Sequence, residues 1–125
     1  MADNKKYDIK DRTFEFATRI IKLFRSLSKR DIECQILGKQ LLRSGTSIGA
    51  MCQEAQAAES HQDLIHKYSI ALKEARETLY WLRLLVASEI ITPKQTESLI
   101  AENDEIIRIL LAIILKLKSK PKEKG

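Results

Sequence analysis

The chain has 125 residues, room for one domain around one core. Hydrophobic residues make up 44% and charged residues 31%, and only four glycines and two prolines occur, so long helices are favoured over a many-stranded β fold. The formal net charge of +5 is unevenly spread: Lys116–Gly125 carries five lysines and one glutamate, and the remainder holds 17 basic against 16 acidic residues.

The opening Met-Ala-Asp-Asn-Lys-Lys-Tyr lacks the apolar core of a secretory signal. The most apolar run, Ile106–Leu117, is too short to span a bilayer and contains Arg108 and Lys116. Both features predict a cytoplasmic protein with no membrane partner. Cys34 and Cys52 fall on one predicted helix, roughly 27 Å apart at ~1.5 Å per residue, beyond disulfide reach. Buried free thiols are expected.

Residues 1–10 read as a flexible lead-in, residues 11–118 as a helical bundle and residues 119–125 as a basic, disordered tail. Asp11 is placed to cap a first helix from about Thr13 to Ser28. Thr13, Phe14, Phe16, Ala17, Ile20, Ile21, Leu23, Phe24 and Leu27 fill one half of its wheel. Arg12, Arg19, Lys22, Arg25 and Lys29 gather on the other half, with Glu15 an acidic exception at the edge. These five cations are the candidate nucleic-acid-binding residues.

The second helix is expected from Asp31 or Ile32 to Ala58. Cys34, Leu37, Leu41, Ser44, Ile48, Met51, Ala55 and Ala58 form a seam alternating by three and four. Gly45 and Gly49 interrupt helix propensity at about 1 kcal/mol each, which suits a central helix that its neighbours approach closely. Ser60-His61-Gln62-Asp63 resembles a capping box opening a third helix that runs to about Ser88. Its stripe is Leu64, Ile65, Tyr68, Ala71, Leu72, Ala75, Leu79, Leu82, Leu85 and Val86. Ile70, Tyr80, Trp81 and Leu84 lie outside the stripe and are read as part of a self-association interface.

Thr92-Pro93-Lys94-Gln95 combines a capping threonine, a proline at the first helical position and a glutamine that closes the box. It starts a fourth helix expected to reach about Lys118 on Thr96, Leu99, Asn103, Ile106, Leu110, Ile113, Ile114 and Leu117. From Ile106 the helix is apolar nearly all round through Ile107, Ile109, Leu111 and Leu115, which adds Ile109 and Leu115 to the candidate interface. Asn103 suits either a register-setting seam position or a solvated edge.

Arg43-Ser-Gly-Thr-Ser-Ile-Gly-Ala, followed by Glu54-Ala55, resembles the second-helix signature of the bacterial four-helix bundle proteins named for intervening sequences in 23S rRNA genes. The stretch Ile65–Leu85 resembles that family's third helix, and the resemblance extends from about Tyr7 to Leu117. It implies an all-α, up-down-up-down four-helix bundle assembled as a ring, typically a homopentamer. It also brings in a relative, the accessory protein of diversity-generating retroelements, which binds a reverse transcriptase and RNA. Arg43, Ser47, Gly49, Ala50 and Glu54 match the signature, whereas Met51 stands where an asparagine is common. The resemblance implies no enzymatic activity.

The residues themselves agree with a non-enzyme. There are two histidines, His61 and His66, and no Cys-x-x-Cys, phosphate-binding glycine loop or His-Glu-x-x-His. Asp63-Leu-Ile-His66 is half of a di-metal bundle motif, which needs Glu-x-x-His on two helices. A capping acid beside a surface histidine is the expected reading, with no metal and no cofactor. Glu54, near the glycines, is expected to be partly buried and to pair with Arg43 or another arginine. Two functions are expected: an oligomeric adaptor binding RNA or DNA through its basic faces, which by the resemblance is an accessory to an RNA-associated enzyme such as a reverse transcriptase, or a protein–protein scaffold with no nucleic-acid role.

Overall fold

The structure, a computed structural model, describes residues 8–120. They form four helices and no strand: α1 (Ile9–Leu27), α2 (Ile32–Ala55), α3 (His61–Ala87) and α4 (Pro93–Ser119). The expected lead-in at 1–7 and the tail at 121–125 lie outside the described residues. Short turns force consecutive helices to run antiparallel. Each helix packs chiefly on its sequence neighbours, and α1 meets α4 along a thinner seam.

Each helix starts where a side-chain oxygen accepts one of the orphaned first-turn N–H groups. Asp31 accepts from the Cys34 N–H, Ser60 from Asp63 and Thr92 from Gln95. The Thr92–Gln95 capping box is complete in both directions. The first helix starts earlier than Asp11 suggested: Asp8 is its cap, accepting from the Asp11 N–H, and Asp11 lies in the first turn. Residues 9 and 10 therefore belong to α1 rather than to a lead-in. At the same end of the bundle α2 stops at Ala55, so Ala58 does not continue its seam.

Phe16, Ile20, Leu27, Leu41, Ile48, Leu82, Leu85, Ile106 and Leu110 form the centre of the core, each essentially inaccessible to solvent. Burying a side chain of this kind favours folding by about 1.5–3 kcal/mol. Phe14 departs from the expected apolar half of α1: it is 71% exposed. On α2 the inaccessible residues include Gly38, Gly45 and Cys52, while Leu37 and Met51 are only half-buried. The reason is that α2 packs against both α1 and α3, so its buried arc is wider than one seam.

The α1–α2 contact depends on missing side chains. A Cβ on Gly45 would lie 2.8 Å from Cγ2 of Ile20, and one on Gly49 would lie 3.2 Å from the Thr13 carbonyl oxygen. Gly38, which lies off the predicted seam, opposes Phe24 and Leu27 in the same way but less tightly, at 3.3 Å and 3.4 Å.

Five small polar residues lie within this core. Thr13, Ser44, Thr78, Thr96 and Asn103 are all inaccessible. The hydroxyls of Ser44 and Thr78 hydrogen-bond at 2.9 Å, and Nδ2 of Asn103 donates to the Ala75 carbonyl at 3.2 Å. Asn103 is therefore a buried seam residue and not a solvated edge. Both cysteines are buried and free, and burial pushes the Cys52 thiol up to about 11.

Candidate nucleic-acid interface

From Phe16 to Arg30 the chain contains no carboxylate and carries Arg19, Lys22, Arg25, Lys29 and Arg30. The last two turns of α1 and the turn that follows display these cations. Lys22, Arg25 and Lys29 are exposed, and none of them forms an ion pair among the described residues. Arg19 donates from Nη2 to Ser98 Oγ at 2.7 Å, and Arg30 donates from Nη1 to the Ile90 carbonyl at 2.7 Å. Both contacts steady the guanidinium and leave its charge uncompensated. Arg19 and Lys22 line a shallow groove over the α1–α4 seam with Leu23, Ser26, Gln95 and Leu99.

Arg12 stands apart from the stripe. Its Nε and Nη2 reach the two carboxylate oxygens of Glu102 at 3.0 Å and 2.8 Å, a bidentate pair joining α1 to α4. The hydrogen bond to Glu102 holds the Arg12 pKa above its ordinary value. With Asp11 and Glu15 beside it, the N-terminal half of α1 is charge-balanced. The basic face is the C-terminal half, so four of the five sequence-predicted cations remain on it.

Of the family-signature residues, Arg43 and Glu54 contact α3, Gly49 faces α1, and Ser47 and Ala50 form no hydrogen bond between helices among the described residues. Arg43 bridges Glu74, at 3.3 Å, and Glu77. Glu77 also accepts the indole N–H of Trp81 at 3.0 Å. Ser47 donates back to the Arg43 carbonyl at 2.6 Å, which satisfies its hydroxyl within the helix. Gly49 admits α1, and Ala50 is exposed. Glu54 is corrected: its side chain is 60% exposed and faces Lys67 at 3.7 Å, not Arg43. Arg43 reaches Glu74 and Glu77, acids whose position opposite α2 was not legible from sequence spacing.

The candidate interface residues fall in separate places. Tyr80, Trp81 and Leu84 lie on the C-terminal half of α3, with Ile70 half-buried earlier on the same helix. Ile109 and Leu115 lie on the last turns of α4, beside the start of α3, where Nε2 of His61 meets the Leu117 carbonyl at 2.9 Å. Tyr80 and Leu115 are each 58% exposed, while Trp81, Leu84 and Ile109 are half-buried.

Asp63 pairs with Lys67 at 3.7 Å and accepts the Glu59 N–H, so it is engaged at the helix start. Among the described residues no three potential metal ligands come together, and no helix is long and apolar enough to cross a membrane.

The model of one protein family, the 23S rRNA-intervening sequence proteins, matches residues 5–112. The chain belongs to that family. A crystal structure of a protein of unknown function from the S23 ribosomal protein family of Bacteroides thetaiotaomicron VPI-5482 is 48% identical, with a TM-score of 0.79. The likeness covers 85% of this chain and 97% of that one. No curated protein matches. Membership in the family accounts for the signature at Arg43–Glu54, whose structural content is the helix packing described above.

Proposed function

We propose that the protein is a non-catalytic adaptor that binds RNA through the C-terminal half of α1. The observation that carries this reading is the carboxylate-free run from Phe16 to Arg30, with Lys22, Arg25 and Lys29 exposed and unpaired. Such a face releases condensed counterions when it meets a phosphate backbone, giving tight, sequence-poor and salt-sensitive binding. The family name, which points to 23S rRNA, favours RNA over other polyanions.

Binding to a structured RNA should weaken steeply between about 50 and 200 mM salt, with a log–log slope of roughly −0.7 to −0.9 per contacted phosphate. Reversing Arg19, Lys22 and Arg25 to glutamate together should weaken it by about 100-fold at ~0.1 M salt, as three such contacts imply. Fluorescence anisotropy on labelled RNA reads both. Absence of binding at low salt, or a triple variant that binds like the parent, sinks the proposal.

The adaptor is further proposed to self-associate. Leu111 and Leu115 are exposed on a helix whose Ile107, Ile109 and Ile113 are already half-buried. An apolar face of this kind favours cover by another copy. Leu115→Glu should lower the mass measured by analytical ultracentrifugation. An unchanged mass removes α4 from the interface.

A further inference from the structure

The C-terminal half of α3 carries a second stripe that the α1 face does not include. Lys73, Arg76, Tyr80 and Arg83 follow one another at intervals of three and four, so they line one face of the helix over about 15 Å. All four are exposed. The three cations have no carboxylate within 4.0 Å among the described residues. The nearest acids along the helix, Glu74 and Glu77, are both held by Arg43, and Glu77 also accepts the indole N–H of Trp81.

Tyr80 is braced rather than merely exposed. Its ring meets that of Trp81 edge-on, with centroids 5.1 Å apart and planes at 72°. Trp81 is itself fixed by its hydrogen bond to Glu77, and Glu77 by Arg43. A chain of contacts from α2 therefore holds an aromatic ring that remains 58% exposed. Arg76, Leu79, Arg83, Leu84 and Ala87 surround it in a shallow depression.

We infer that this stripe is a contact face for single-stranded RNA, with Tyr80 as a base-stacking platform and Lys73, Arg76 and Arg83 as phosphate contacts. The inference rests on the RNA-binding reading above and adds to it the kind of strand that α3 receives. An exposed aromatic between unpaired cations provides both elements of single-strand binding, π-stacking for bases and positive charge for the backbone. A two-fold contact with a second copy fits the same face poorly, because it would bring two such stripes of unpaired cations together. The phenol edge is also polar and the surrounding apolar area small.

The test measures binding of a labelled single-stranded uridine oligonucleotide, and of an RNA hairpin, to the full chain across a salt series. Tyr80→Leu keeps apolar bulk at an exposed helix position and removes the stacking face. It should weaken single-strand binding about tenfold, as loss of one stacked base implies, with the salt slope unchanged. Arg76→Gln combined with Arg83→Gln should weaken binding and reduce the slope by about 1.4, or ~0.7 per phosphate. The hairpin should respond mainly to the α1 triple variant.

If the parent binds neither RNA, the RNA-binding reading fails and takes this inference with it. If the parent binds and the α1 variant loses binding, while the α3 variants match the parent on the single strand, only the α3 assignment fails. A fall in oligomeric mass for Tyr80→Leu, with RNA binding intact, would make the face an interface between copies and would also overturn it.

Discussion

Asn103→Asp should destabilise the bundle by about 3–5 kcal/mol at neutral pH, the cost of an uncompensated buried charge. Asn103 is inaccessible to solvent and uses Nδ2 to donate to the Ala75 carbonyl, while its Oδ1 has no partner among the described residues. An aspartate there loses the donor and sets a carboxylate oxygen against a carbonyl oxygen. When protonated, the same side chain regains a donor. Burial and that hydrogen bond both favour the neutral acid, so the folded-state pKa of the introduced carboxyl lies above its unfolded value of about 3.9. The sign follows directly. Below about pH 4 the acid is neutral in both states and the penalty is small. It grows as pH rises, because the unfolded chain ionises first, and levels off once the folded carboxyl ionises too. Asn103→Leu separates charge from shape: it removes the unpartnered oxygen and should be neutral or stabilising by about 1 kcal/mol. Urea denaturation of both variants at several pH values measures this. A pH-independent loss for Asn103→Asp would show that water reaches the site.

Gly45→Val should cost about 3 kcal/mol, the upper part of the range for overpacked cores. The contacts at issue are the carbons of Ile20 next to its backbone, and Ile20 is inaccessible. A Cβ at 2.8–2.9 Å from two of them cannot be relieved by swinging a flexible chain end. Gly45→Ala is milder, since roughly 1 kcal/mol of helix propensity offsets part of the clash. Gly38→Ala is the contrasting case: its nearest atoms lie at 3.3–3.4 Å and include the half-buried Phe24 ring, which can yield. That variant should be neutral or slightly stabilised. Gly49→Ala should fall between, because the Thr13 backbone opposes it. Thermal or urea unfolding ranks the three positions. Pairing Gly45→Ala with Ile20→Ala should recover stability beyond the sum of the single changes, since Ile20→Ala removes the Cγ1 and Cγ2 atoms that oppose the new Cβ. A Gly45→Val variant that melts with the parent would mean that α1 and α2 do not approach this closely in solution.

The helix starts show how local information differs from tertiary information. Thr92-Pro93-Lys94-Gln95 and Ser60–Asp63 are legible because a cap and the N–H group it accepts from lie within four residues. The start of α1 lies about four residues before the Thr13 start that the sequence predicts, because Asp8 and Asp11 are both competent caps, and the choice depends on Ile9 and Thr13 finding a core to enter. The basic face of α1 was legible as a run without carboxylates. That Arg12 does not belong to it was not, since Glu102 lies 90 positions away. The bracing of Tyr80 was hidden for the same reason: it begins at Arg43, on a different helix.

By itself the sequence determined four amphipathic helices, their order, most of their apolar stripes and the family, because caps and hydrophobic periodicity act over one or two turns. Only the tertiary structure decided which small residues touch, which cations keep their charge and which polar group is buried. Gly45 is tight because Ile20 stands opposite, Arg12 is compensated because α4 carries Glu102, and Asn103 is dry because α4 turns it toward Ala75. These facts belong to pairs of helices, and pairwise distance is set by packing and not by either helix alone.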